Sequence, residues 1–186
     1  MEEKKEQQGK EYEEALKNAA EKIISGNFSL REYYGISDDG LEAIYMVGHE
    51  MYKHKQYVKA KGVFALLCTL QPMSSKYLSA CGSASFMAGD YTTAAQYFRM
   101  ALAEGEYTPK MLMRLAECVI RLDQLDLAKK YIDELLTLAN DDKFKNDRES
   151  RIYEARARMT STMVEKELAK LAEEKKSPKK QLGKKR

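Results

Sequence analysis

The sequence predicts an all-α fold of three stacked helix–turn–helix units, and three observations carry that prediction. Ala60, Ala94 and Ala128 stand 34 residues apart, and Phe64, Phe98 and Ile132 follow them by four. Gly48, Gly82 and Ala116 precede the alanines by twelve, and Tyr57, Tyr91 and Leu125 by three. Ile44, Leu78 and Leu112 keep the same phase, as do Val47, Cys81 and Leu115. A fixed period of this length marks a supersecondary unit that cannot bury its apolar face alone and stacks on its neighbours. With three Pro and ten Gly in 186 residues, the composition suits helices.

Within each unit the elements follow from spacing. In the first, Ile44, Val47, Gly48 and Met51 fall on one face of a 3.6-residue period, and Ala60, Phe64 and Leu67 do the same in the helix after it. Gly48 and Ala60 are small where the two antiparallel helices approach, and Pro72 stands where the second helix has to stop. The period of 34 with small, aromatic and apolar residues at these offsets resembles the tetratricopeptide repeat. The units span residues 41–74, 75–108 and 109–142. Asp39 with Glu42 reads as a capping pair for the first unit, and Thr108 with Pro109 as the cap and first helical residue of the third.

Three segments flank the repeats. Residues 1–40 form an N-terminal helical segment, with Tyr12, Leu16 and Ile23 at helical spacing. Residues 143–174 form a C-terminal helix. Its narrow stripe of Ile152, Ala155, Met159 and Met163 is expected to cap the open end of the curved stack. Residues 175–186 carry seven basic residues and no acid, so that without them the formal net charge falls from +3 to −4. A disordered, solvated tail is the expectation there, and no nucleic acid is expected as partner, because no basic patch continues into the repeats.

Several function classes fall away. The chain opens Met-Glu-Glu-Lys-Lys, unlike a secretory leader, and no apolar run approaches the ~20 residues of a membrane span. The expectation is a cytoplasmic protein without membrane insertion. Cys68, Cys81 and Cys118 are odd in number and lack C-x-x-C spacing, so reduced thiols are expected. His49-Glu50 and His54 imitate a zinc-protease motif, but a separation of five turns the imidazoles roughly 140° apart on a helix. The metal motif needs a separation of four. No phosphate loop, nucleophile elbow or dinucleotide fingerprint occurs. The reading is a binding protein, with no catalytic residues, no metal and no cofactor.

The binding surface is read from the first helix of each unit, where positions 2, 5, 9 and 12 line the inner curve. They are Glu42, Tyr45, His49 and Tyr52 in the first unit and Lys76, Ser79, Ser83 and Phe86 in the second. The third gives Lys110, Met113, Glu117 and Ile120, and Met87 adds an adaptable wall. The small serines leave room for a peptide backbone, and the aromatic and aliphatic residues can wall pockets for apolar side chains. The competing reading is that some of them pack against the chain's own N-terminal segment.

The run Leu41-Glu-Ala-Ile-Tyr45 continuing to Tyr52, with Lys55-Gln-Tyr57 and Leu67-Cys68, resembles the class II chaperones of bacterial type III secretion, the low-calcium-response protein H family. Ala80-Cys81-Gly82, Gly89-Asp90-Tyr91 and Ala116-Glu117-Cys118 extend the likeness over about residues 20–160. The resemblance implies a chaperone that holds an extended segment of hydrophobic translocator proteins in its groove. It also implies a homodimer formed through the N-terminal region. Tyr45, Tyr52 and Tyr57 match family positions at or beside that groove. A rival is the carboxylate-clamp cochaperone, which Lys110 and Arg114 resemble. The remaining clamp positions are Tyr45, His49 and Ala80, which lack the required donors. A scaffold or regulator of the same secretion system would share the fold.

Overall fold

A computed structural model describes residues 30–176 and, before them, Gln7, Glu13, Glu14, Lys17, Asn18 and Glu21. The expected N-terminal amphipathic stripe (Tyr12, Leu16, Ile23) and all of the tail beyond residue 176 lie outside the described residues. Among the described residues there are helices and no strands. The helices are α1 (Leu30–Tyr33), α2 (Asp38–Lys53), α3 (Tyr57–Leu70), α4 (Ser75–Met87), α5 (Tyr91–Ala103), α6 (Pro109–Arg121), α7 (Leu125–Ala139) and α8 (Arg148–Lys176). From α2 to α8 each helix packs on the next, and α8 returns to touch α6 as well as α7.

The turns within the helix pairs repeat as closely as the helices. Lys55, Gly89 and Asp123, 34 residues apart, all take a left-handed backbone, with φ of 59°, 82° and 56°. The residue after each returns its amide to a carbonyl five places back: Gln56 to Met51, Asp90 to Ser85 and Gln124 to Val119, each at 2.9 Å. This closes the C-terminus of the first helix and aims the chain into the second.

Close packing explains the small residues. A Cβ on Gly48 would lie 2.7 Å from Cε1 of Phe64. Ala60, Ala94 and Ala128 are fully buried, as are Phe98 and Ile132, with Phe64 nearly so. In the third unit Ala116 occupies the place of the glycines, opposite a smaller Ile132.

Three expectations need correction. Ser37, not the Asp39–Glu42 pair, caps α2, its hydroxyl accepting from the Gly40 amide at 3.1 Å. Val47 is 51% exposed although its equivalents Cys81 and Leu115 are fully buried. Those two sit on helices that also pack against the preceding unit, whereas no described helix of that kind precedes α2. Finally, the stripe Ile152, Ala155, Met159, Met163 faces away from the stack. Helix α8 packs instead through Tyr153, Ala157 and Val164, with Leu168 beside them. That alternative stripe is also helically spaced and offers the Tyr153 ring to the cluster around Ile132. By contrast Thr108 does cap α6, accepting from Met111, with Pro109 as first helical residue.

Candidate functional site

The first helices of the units, α2, α4 and α6, enclose a cavity of about 590 Å³. Helix α2 contributes Tyr45, His49 and Tyr52, one turn apart in succession. Helix α4 forms the middle with Ser75, Lys76, Ser79, Ala80 and Ser83, and α6 closes the far side with Lys110, Met111 and Arg114. Phe64 and Phe98 reach the bottom between the helices, and Glu106 enters from the loop before α6.

The aromatic wall is braced from behind. The Tyr45 ring lies 5.6 Å from that of Phe64 and 6.0 Å from that of Tyr77, and it stacks on His49 at 6.1 Å. Tyr52 meets Tyr57 edge-on at 5.3 Å. Burial raises the Tyr52 phenol above its ordinary pKa, so it stays a neutral donor at physiological pH. His49 Nδ1 is buried without a hydrogen-bond partner.

Cations line the cavity, and each is already matched with an acid. Lys76 donates to Glu42 at 2.6 Å and sits 4.1 Å from the centre of the Tyr45 ring. The bond to Glu42 holds its ammonium above the usual lysine range. Lys110 is 3.3 Å from Glu149 of α8. Arg114 donates to Glu117 at 3.2 Å and lies over the Phe86 ring at 5.6 Å. Ser79 donates to Glu106. The result is an amphipathic chamber: aromatic on one side, small and hydroxylated in the middle, and charged but internally compensated on the other.

Seven of the thirteen residues singled out in the sequence line this cavity: Tyr45, His49, Tyr52, Lys76, Ser79, Ser83 and Lys110. Tyr57 supports Tyr52 from α3. Phe86 is half-buried, edge-on to Tyr91 at 5.4 Å and against the core of the second unit. Met87 is 43% exposed and does not line the cavity. The third unit departs most. Met113 is 2% exposed and belongs to the core with Tyr153, Ala157 and Val164, and Ile120 packs against the same cluster. Glu117 is clasped by Arg156 of α8 as well as by Arg114. The C-terminal helix covers this part of the inner face. Phe64, Ser75, Ala80, Phe98, Glu106, Met111 and Arg114 complete the lining. Arg114 was visible in the sequence only through its likeness to a clamp cation. Glu106 lies in a loop, where helical phase says nothing.

Among the described residues no group of three or more potential ligands could hold a metal, and no helix is long and apolar enough to cross a membrane.

Residues 85–145 match the tetratricopeptide repeat family model. Low calcium response locus protein H of Yersinia pestis is 25% identical over 107 residues, which are 58% of this chain and 64% of that protein. The chain thus matches somewhat less than two thirds of that relative's length. Among solved structures, a type III secretion complex from Aeromonas hydrophila shares the fold, with a TM-score of 0.70 at 21% identity over 82% of this chain and 98% of the other. Another is PcrH, known from Pseudomonas aeruginosa, in complex with the chaperone binding region of PopD. It has a TM-score of 0.64 and 25% identity, covering 72% and 96% of the two chains. The Yersinia enterocolitica chaperone SycD, in complex with a peptide of the translocator YopD, superposes with a TM-score of 0.64 at 22% identity, over 71% and 97%. The chain thus carries a tetratricopeptide-repeat match over residues 85–145, is similar in sequence to low calcium response locus protein H and shares the fold of the type III secretion translocator chaperones.

Proposed function

We propose that the protein is a cytoplasmic type III secretion chaperone, not an enzyme, and that its cavity holds an extended segment of a hydrophobic translocator protein. The carrying observation is the chamber between α2, α4 and α6, with Tyr45, His49 and Tyr52 facing the small floor of Ser79, Ala80 and Ser83. An extended peptide fits such a slot. Apolar side chains anchor against the rings, each burial stabilising the complex by about 1.5–3 kcal/mol before the cost of ordering the peptide. The hydroxyls and the unpartnered His49 Nδ1 offer hydrogen bonds to its backbone. The relatives support the reading, since PcrH and SycD are each seen with a segment of a translocator. By the same likeness we assign dimerisation to the N-terminal region, as a SycD dimer is also known.

The carboxylate-clamp alternative draws less support. Lys110 and Arg114 do stand together in the cavity, but Glu149 and Glu117 already occupy them. A terminal carboxylate would have to displace acids held by the fold itself.

The test is capture of bound proteins from the native cytoplasm, identified by mass, with the native chain and two variants. Tyr45→Ala with Tyr52→Ala is expected to lose large proteins bearing long apolar segments, while Lys110→Ala with Arg114→Ala retains most of them. Recovery of a heat-shock protein, lost only with the cationic pair, would overturn the proposal.

A further inference from the structure

The outer face of α8 is a second surface that the cavity does not use. Ile152, Met159 and Met163 are 53%, 72% and 71% exposed, and Ala155 between them is exposed too. None lines the cavity. Around them, exposed Arg148, Arg151, Arg156, Arg158, Lys166 and Lys170 lie on the same arc, roughly 160° wide on a helix of 3.6 residues per turn. From residue 148 to 170 that arc contains no acid, Glu149, Glu154, Glu165 and Glu167 all falling on the remaining circumference; in the last turns of the helix Glu173 and Glu174 come onto the arc. Arg158 and Lys170 lean outward to Glu154 and Glu167 at 2.7 and 3.4 Å, and Arg156 reaches across to Glu117. The chain then continues into the run from Lys175 to Arg186, with seven further basic residues and no acid.

We infer that this face binds the surface of an anionic lipid bilayer, lying flat on it while the opposite face of α8 stays packed on the repeats. A basic helix face with a strip of adaptable apolar side chains is what an interfacial element requires. Methionines enter the headgroup boundary, and the long arginine and lysine stems let their charges stay at the phosphates. The basic run after it adds attraction to the same leaflet. A second copy of the chain is a poorer occupant, since pairing through this arc would set Arg148, Arg151 and Lys166, which make no ion pair among the described residues, against the same cations of the other copy. A partner that engulfs a helix in a groove is excluded sterically, because Tyr153, Ala157 and Val164 hold the other side of α8 in the core. The inference stands apart from the cavity's proposed role and leaves the cavity accessible.

The test is co-sedimentation of the full chain with vesicles of phosphatidylcholine alone or mixed equally with phosphatidylglycerol. Pelleting is expected only with the anionic vesicles and is expected to weaken strongly at about 0.5 M salt. Met159→Asp with Met163→Asp is expected to weaken it on the order of tenfold or more while the thermal midpoint stays native. Arg148→Gln with Lys166→Gln should weaken it severalfold. The chain has no Trp, so Met163→Trp supplies a single reporter, expected to shift its emission to the blue on anionic vesicles. Pelleting that ignores the Met159/Met163 change, or a Trp signal that does not move, would assign any attraction to the basic run alone and overturn the inference. So would an absence of pelleting, or a lower sedimenting mass for that variant without vesicle binding, the mark of a second copy.

Discussion

A Cβ placed on Gly82 would stand 2.6 Å from Cε1 of Phe98, a distance that no ring locked in a packed core can relieve by a small shift. Gly82 and Phe98 are both buried at the crossing of α4 and α5. Gly82→Leu is therefore expected to destabilise the fold by about 1–3 kcal/mol or more. Gly82→Ala should also destabilise, and Phe98→Ile added to it should recover part of the loss, because Ala116 and Ile132 already make that crossing in the third unit. Denaturant midpoints of the single and double variants check this. Equal stability of Gly82→Ala and the native chain would contradict it.

Lys55 holds the left-handed turn that Gly89 holds in the next unit. A side chain there costs about 1 kcal/mol that glycine avoids. Lys55→Gly is expected to raise the thermal midpoint slightly, and Gly89→Ala to lower it.

Asp90 caps α5 through the Thr93 amide and pairs with Lys61 at 3.0 Å. The bond from Lys61, then that from Thr93, holds its carboxyl below the ordinary aspartate range. A carboxyl depressed on folding contributes stability above its unfolded pKa, about 4, and loses it as pH falls through the folded value. Asp90→Ala is thus expected to cost about 1 kcal/mol at neutral pH. In acid the gap between the two proteins should narrow, which urea titrations at both pH values would show.

Cys118 is fully buried, and burial pushes its thiol up to about 12. It is expected to resist alkylation at about pH 8 in the native protein and to react once denaturant is added. Mass spectrometry of trapped samples would show whether labelling waits for unfolding.

The two faces of α8 should differ in energetic weight. Tyr153→Ala removes a ring from the core around Ile132 and is expected to cost about 2–4 kcal/mol. Met159→Ala, on the exposed face, should change stability by less than about 0.5 kcal/mol.

The repeats were legible in the sequence because a stacked unit must solve the same packing problem each time. Gly48, Gly82 and Ala116 are forced small by the ring or branch opposite, and that pressure writes a period. The cavity was legible where it inherits the period, at Tyr45, Ser79 and Ser83. It was misjudged at Met113 and Ile120, because the period cannot say that a later helix will lie over the third unit. The face of α8 was misjudged for a related reason. Ile152–Met163 and Tyr153–Val164 are both apolar stripes at helical spacing, and hydrophobicity favours the larger aliphatic one. The face that packs is the one carrying Tyr153, Ala157 and Val164, and since each stripe holds one alanine, spacing and residue size alone do not separate them.

The pairing of each cavity cation with a carboxylate of the same chain has a kinetic consequence. A site whose fixed charges cancel locally casts little field into the solvent, so it does not draw a ligand in from a distance. Association should proceed near the unsteered 10⁵–10⁶ M⁻¹s⁻¹. Its rate should change little between dilute buffer and physiological salt. Selection then takes place after contact, by how long a segment stays, and dissociation times rather than capture rates would rank competing sequences.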